Sequence, residues 1–128
     1  DTNVLVRYFA QDDAKQTPLA NRIMSSLSKD EPAFISIVTL CELVWVLEDA
    51  YDQKKPRILD VLRGLLESDE MEIENKPVAW AAFATFRDAA LDFSDAIILE
   101  SGKDTGCVHT VTFDKLAART PGFVLLGR

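Results

Sequence analysis

The chain has 128 residues, nearly half of them apolar, which is enough for one core without disulfide or metal staples. About a quarter are charged, which argues against disorder, and no apolar run reaches the roughly 18 residues of a membrane span. The net charge of −7 excludes a broadly basic, phosphate-holding surface, so a nucleic-acid ligand requires that the negative charge gather where cations offset it.

Val4 to Phe9 is a short apolar stretch that Asp12 and Asp13 interrupt. Pro18 opens a predicted helix through Leu27, with Leu19, Ile23 and Leu27 on one face. Ala33 to Ser36 reads as a short buried strand, and Ser36 as the N-cap of an apolar helix from Ile37 to Ala50. Ile58, Leu62, Leu65 and Leu66 give the next helix its apolar stripe. Met71 to Glu74 alternates like a strand. Pro77 starts a helix with Trp80, Phe83 and Ala84 inward, and Asp92 or Ser94 caps another from Asp95 to Ser101. Cys107 to Thr112 is a strand, Lys115 to Arg119 a helical turn, and Phe123 to Leu126 a last strand. Helices alternating with short apolar strands predict an α/β fold in one domain over 1–128, a parallel sheet covered on both faces. Ligands of such folds bind past the carboxyl ends of the strands.

Acidic residues gather at those ends. Glu42 stands in an otherwise apolar helical run, so it is expected mid-helix and partly buried, needing a partner, a proton or a metal. A Thr39–Glu42 capping box is the structural alternative. Asp92 and Asp95 lie three apart at a helix start, where capping explains one aspartate better than two. Asp114 follows a strand and suits either an N-cap or a site, and Asp1 opens Asp1-Thr2-Asn3, which could be an ordinary turn. Two carboxylates about 4 Å apart repel by roughly 4 kcal/mol at an effective dielectric of 20. Four or five in one pocket therefore call for cations, and oxygen donors suit magnesium or manganese, which activate water and clamp phosphate.

At these residues the chain resembles the PIN-domain family, in particular the VapC-type toxin ribonucleases of toxin–antitoxin pairs. Asp1-Thr2-Asn3-Val4-Leu5 is similar to the family's opening motif, and Ser36 through Glu42 with Trp45-Val46-Leu47 to its second. Asp92-Phe93-Ser94-Asp95-Ala96 is similar to the third, and Thr112-Phe113-Asp114 to the fourth. The resemblance implies a three-layer α/β/α fold around a central parallel sheet. It implies metal-dependent endonuclease cleavage of RNA with Mg2+ or Mn2+. Asp1, Glu42, Asp95 and Asp114 fall on the family's acidic positions, for metal binding and water activation, with Asp92 a fifth metal-binding member. Asn3, Ser36, Thr39 and Thr112 fall on polar positions that orient carboxylates or waters. It also implies a homodimer and a cognate antitoxin that reaches the acidic site, where a basic side chain would suit this acidic protein. The family's first motif ends a central strand, so a few residues are expected upstream of Asp1.

Two rivals differ in class. A magnesium-dependent phosphatase usually needs a second acid two residues after its nucleophilic aspartate, where Asn3 stands. A PIN-like RNA- or protein-binding module without catalysis shares the acids but cuts nothing. Other residues read as structural. Cys41 and Cys107 are expected to be buried thiols of a reducing cytoplasm, and with one histidine they make poor zinc spacing. His109 is structural or exposed within its strand. Trp45, Trp80, Phe83 and Phe86 pack a core or a dimer, the Lys54, Lys55 and Arg57 cluster is a solvated helix start, and Asp12 and Asp13 sit in solvated loops.

Overall fold

A computed structural model describes residues 1–127. The chain divides into two compact units, Asp1–Glu74 and Asn75–Arg128.

The first unit opens with helix α1, Thr2–Ala10, where the sequence showed only an apolar stretch. Asp1 is its N-cap, accepting a 3.4 Å hydrogen bond from the Val4 amide, and Leu5 and Val6 are its buried residues. Helix α2, Gln16–Ser26, starts two residues before Pro18. The cause is Asp13, whose Oδ1 accepts from the Gln16 amide at 2.6 Å and the Lys15 amide at 2.9 Å, while its own amide donates to Thr17 Oγ1. Those donors hold the Asp13 carboxyl below the usual carboxylate range. Asp13 is thus a half-buried helix starter and not a solvated loop residue. The face of α2 that turns inward is Thr17 and Ala20; Leu19 and Ile23 are exposed.

Strand β1, Ala33–Ile35, leads into helix α3, Ile37–Asp49, as expected, but only Ile35 of the strand is buried and Phe34 is exposed, which corrects the expected buried strand. Helix α4, Lys55–Glu67, buries the predicted stripe of Ile58, Leu62, Leu65 and Leu66, with Val61 added. Strand β2, Met71–Ile73, then pairs parallel with β1 in the register Ala33 to Met71. At the carboxyl end of this pair Ser36 Oγ accepts from the Thr39 amide at 3.1 Å, and Glu74 Oε1 accepts from the Ile37 amide at 2.9 Å. Two otherwise unpaired amides of α3 are satisfied in this way, and the Glu74 carboxylate faces the positive end of the helix. Loss of such an N-cap costs about 1 kcal/mol. Ser36→Ala should therefore lower the unfolding free energy by about that amount in urea titrations, and Ser36→Asn should recover most of it.

The second unit begins with helix α5, Lys76–Asp88. Its buried face is Val78, Ala79, Ala82, Phe83 and Phe86. Trp80 and Ala84, expected inward, are half-buried at the edge of that face. Helix α6, Phe93–Asp104, packs against α5 and runs three residues past the predicted end at Ser101. Strand β3, Thr110–Thr112, pairs parallel with strand β4, Phe123–Leu125, and a 3-10 turn, Ala117–Arg119, lies between them. Gly122 enters β4 at φ 104°, where a side chain would be strained and its Cβ would lie 2.9 Å from a Leu99 methyl.

The α/β class with parallel strands is therefore present, as two two-stranded pairs, β1–β2 and β3–β4. Among the described residues no helix is long and apolar enough to cross a membrane. Strand β3 is shorter than the predicted Cys107–Thr112 and leaves both Cys107 and His109 in the exposed loop before it. The pair of buried thiols is corrected accordingly: Cys107 is exposed and Cys41 half-buried, where burial pushes its thiol up.

Candidate active site

The acidic residues fall into one set in each unit. In the second unit Asp92 occupies the N-cap of α6, yet its side chain makes no capping hydrogen bond. Capping therefore does not account for its carboxylate. One turn on, Asp95 is half-buried, and its carboxyl is pushed above the usual range, first by burial and then by the charges of Asp92 and Asp114. Asp114 follows β3. Its Oδ1 accepts from the Leu116 amide at 2.8 Å and the Ala117 amide at 3.2 Å, so the capping role is real for this residue. Thr112 Oγ1 accepts from the Asp114 amide at 2.9 Å, and the Thr112 carbonyl accepts from the Leu126 amide at 2.8 Å. Thr112 thus orients the backbone that presents Asp114.

In the first unit Glu42 lies mid-helix as expected but is exposed, which corrects its predicted burial. Helix α3 buries Leu40, Leu43, Val44 and Leu47, and Glu42 falls outside that stripe. Its Oε1 accepts a 3.2 Å hydrogen bond from Thr2 Oγ1, which ties it to the start of α1 beside Asp1. The sequence did not single out Thr2; its place next to Asp1 was the available signal. The capping box at this helix start joins Ser36 to Thr39, not Thr39 to Glu42: Ser36 Oγ also donates to Thr39 Oγ1 at 3.0 Å. Ser36 and Thr39 therefore orient the helix that carries Glu42 rather than a carboxylate directly. Glu74 was missed as the third group at this helix start, although an acid just after a strand could have suggested it.

Asn3 is exposed and lines an apolar cleft of about 250 Å3 with Val4, Arg7, Gln16, Leu19, Ala20 and Ile23. This cleft contains none of the acidic residues. Arg7, at its rim, is held by Gln16 Oε1 at 2.7 Å and by the Tyr51 hydroxyl at 3.1 Å, and that hydroxyl donates to Asp12 at 2.8 Å. Asp12 is part of this network and not of a free loop.

Among the described residues no three His, Cys, Asp or Glu side chains stand close enough together to hold a metal ion as they are. The carboxylates of the second unit nevertheless feel one another's charge at Asp95. Their donor chemistry, all carboxylate oxygen, fits a hard divalent cation and does not fit zinc.

Parallel strand pairs joined through helical segments define an α/β protein. The PIN domain family model matches residues 1–122, and the chain belongs to that family. A VapC ribonuclease from Aquifex aeolicus (strain VF5) is 24% identical over 115 residues, covering 90% of this chain and 85% of the relative. No solved structure matches the chain significantly.

Proposed function

We propose that this PIN-domain protein is a metal-dependent endoribonuclease, the toxin of a VapBC-type pair, with residues 1–128 forming one domain. The observation that carries the proposal is membership of the PIN family over residues 1–122, in a chain whose second unit holds the carboxylates Asp92 and Asp114 beside a half-buried Asp95. The similarity to a VapC ribonuclease supports RNA as the substrate and an antitoxin as the partner.

In this reading Asp92, Asp95 and Asp114 hold Mg2+ or Mn2+, and Asp1 and Glu42 are assigned to metal binding as well. Asp1, Glu42, Asp95 and Asp114 form the catalytic set. When bound, the ion supplies charge stabilisation at the scissile phosphate and lowers the pKa of water. The chain's own contribution is positional. The α6 N-terminus presents Asp92 and Asp95 on one turn, and the Thr112 turn fixes the backbone of Asp114. Thr2 steadies Glu42. Asp95, the half-buried member of the set, is assigned to hold the ion and to orient the attacking water as the phosphodiester P–O bond breaks. The homodimer, the antitoxin and a cytoplasmic setting belong to the same proposal; the exposed apolar Val38 and Trp45 on α3 suit a protein contact.

The test is cleavage of single-stranded RNA by the protein freed of any partner. Cleavage is expected with magnesium or manganese and is expected to stop in EDTA. Cleavage that continues in EDTA would remove the metal from the proposal. A folded protein that binds RNA in magnesium but never cuts it would favour a binding module.

A further inference from the structure

The aromatic ring beside Asp114 is not absorbed by the site or by the core. Phe113 is 80% exposed, although it sits between the end of β3 and the aspartate that acts on Asp95. Its backbone is pinned on both sides. The Thr112 carbonyl is bonded to Leu126, the Thr112 hydroxyl to the Asp114 amide, and the Asp114 carboxylate to the Leu116 and Ala117 amides. Val111, two residues before Phe113, and Leu116, three after it, are exposed too, and grouped exposed apolar side chains mark an interaction site. The neighbouring Lys115 is exposed as well.

We propose that Phe113 is a stacking platform for an unpaired base of the RNA substrate, a positioning residue that lays the strand along Asp114. The inference rests on the ribonuclease reading above. Two observations favour a nucleobase as the occupant. The chain has a net charge of −7, so it gains little affinity from phosphates, whereas stacking on an aromatic face is independent of charge. Phe113 also directly precedes Asp114, a member of the acidic set proposed to receive the phosphodiester, so a base on Phe113 lies within the same stretch of strand. Stacking tolerates any base, so the contact sets register on the strand without selecting a sequence.

The experiment compares Phe113→Ala, Phe113→Leu and Phe113→Trp with the parent chain on a short fluorescein-labelled single-stranded RNA of mixed sequence. Cleavage kinetics are read in magnesium. Binding is read by anisotropy in magnesium in the uncut Asp95→Asn background. Losing one stacked base should weaken binding and raise KM about ten-fold, with kcat little changed. The salt dependence of binding should keep its slope, since no charge is removed. Phe113→Leu should fail like Phe113→Ala, and Phe113→Trp should restore binding, a pattern that a packing role would not produce. A parent chain that cuts RNA, with KM unchanged in Phe113→Ala, would overturn the stacking role and leave the nuclease intact. A parent chain that neither cuts nor binds RNA would overturn both. Binding without cleavage that is lost in Phe113→Ala and kept in Phe113→Trp would support the platform and overturn the nuclease.

Discussion

Asp95→Asn is expected to lower RNA cleavage by at least about 100-fold and, in the same sample, to raise the melting temperature at neutral pH. The first effect follows from the proposed role. Loss of a group that only supports a metal ligand costs about 10–100-fold, and Asp95 is assigned a direct one. The second follows from electrostatics alone. The folded protein holds the Asp95 carboxyl above its ordinary value of 3.8, through burial and then through Asp92 and Asp114. A carboxyl with a raised folded pKa contributes stability below its unfolded pKa and loses it as pH rises through the folded value. At neutral pH the ionised Asp95 is therefore a cost, and the neutral amide removes it at nearly constant shape. The gain in melting temperature should be present at pH 7 in EDTA and should vanish below pH 3.8, where aspartate is neutral too. Thermal scans at the two pH values, run beside the cleavage assay, read both arms. Cleavage that survives would remove Asp95 from the site. Lost cleavage with no stabilisation at pH 7 would mean that the carboxylates do not crowd one another.

Phe93→Ala is expected to cost about 3–5 kcal/mol of stability. Phe93 is fully buried, and its ring meets Phe86 edge to face at 5.7 Å with the planes 80° apart. The substitution removes that pair and leaves a cavity between α5 and α6. Domains of this size have about 5–15 kcal/mol in total, so the variant should unfold at much lower urea concentration. Phe93→Leu keeps most of the volume and should cost well under half as much. Phe93 also begins the helix whose first turn carries Asp95, so the packing that stabilises this unit also sets its acidic pair. An Ala variant that loses less than about 1 kcal/mol would show that the helices close over the gap.

The fold was legible where burial has a period. The stripe of α4, the span of α3, the strands at Ala33 and Met71, and the Ser36 cap all follow from the sequence pattern. Where local hydrogen bonds decide, the sequence misled. Asp13 starts α2 before Pro18 through two side-chain bonds, and no apolar pattern reports such bonds. The site divides in the same way. Asp92 and Asp95 were visible because two aspartates exceed what one cap needs, and the structure leaves Asp92 without a capping bond. Glu42 was expected to be buried because its neighbours in sequence are apolar. Its neighbours three and four away, Val38, Trp45 and Val46, are apolar too, but Val38 and Trp45 are themselves exposed, because α3 buries the stripe of Leu40, Leu43, Val44 and Leu47. Cys107 was misplaced for a related reason: β3 begins three residues later, so the thiol belongs to a loop.

The two parallel pairs also differ in how they come together. β1 reaches β2 only after α3 and α4 have been laid down between them, whereas β3 reaches β4 across one 3-10 turn. The entropy of closing a loop grows with its length, and distant pairings wait on it. During refolding, the strand end that carries Asp114 therefore assembles early, as a local event. The helix that carries Glu42 is anchored late, when β2 arrives. Hydrogen-exchange protection should appear at the Thr110 and Leu126 amides, which donate across the β3–β4 pair, before the Ala33 and Glu74 amides, which donate across β1–β2.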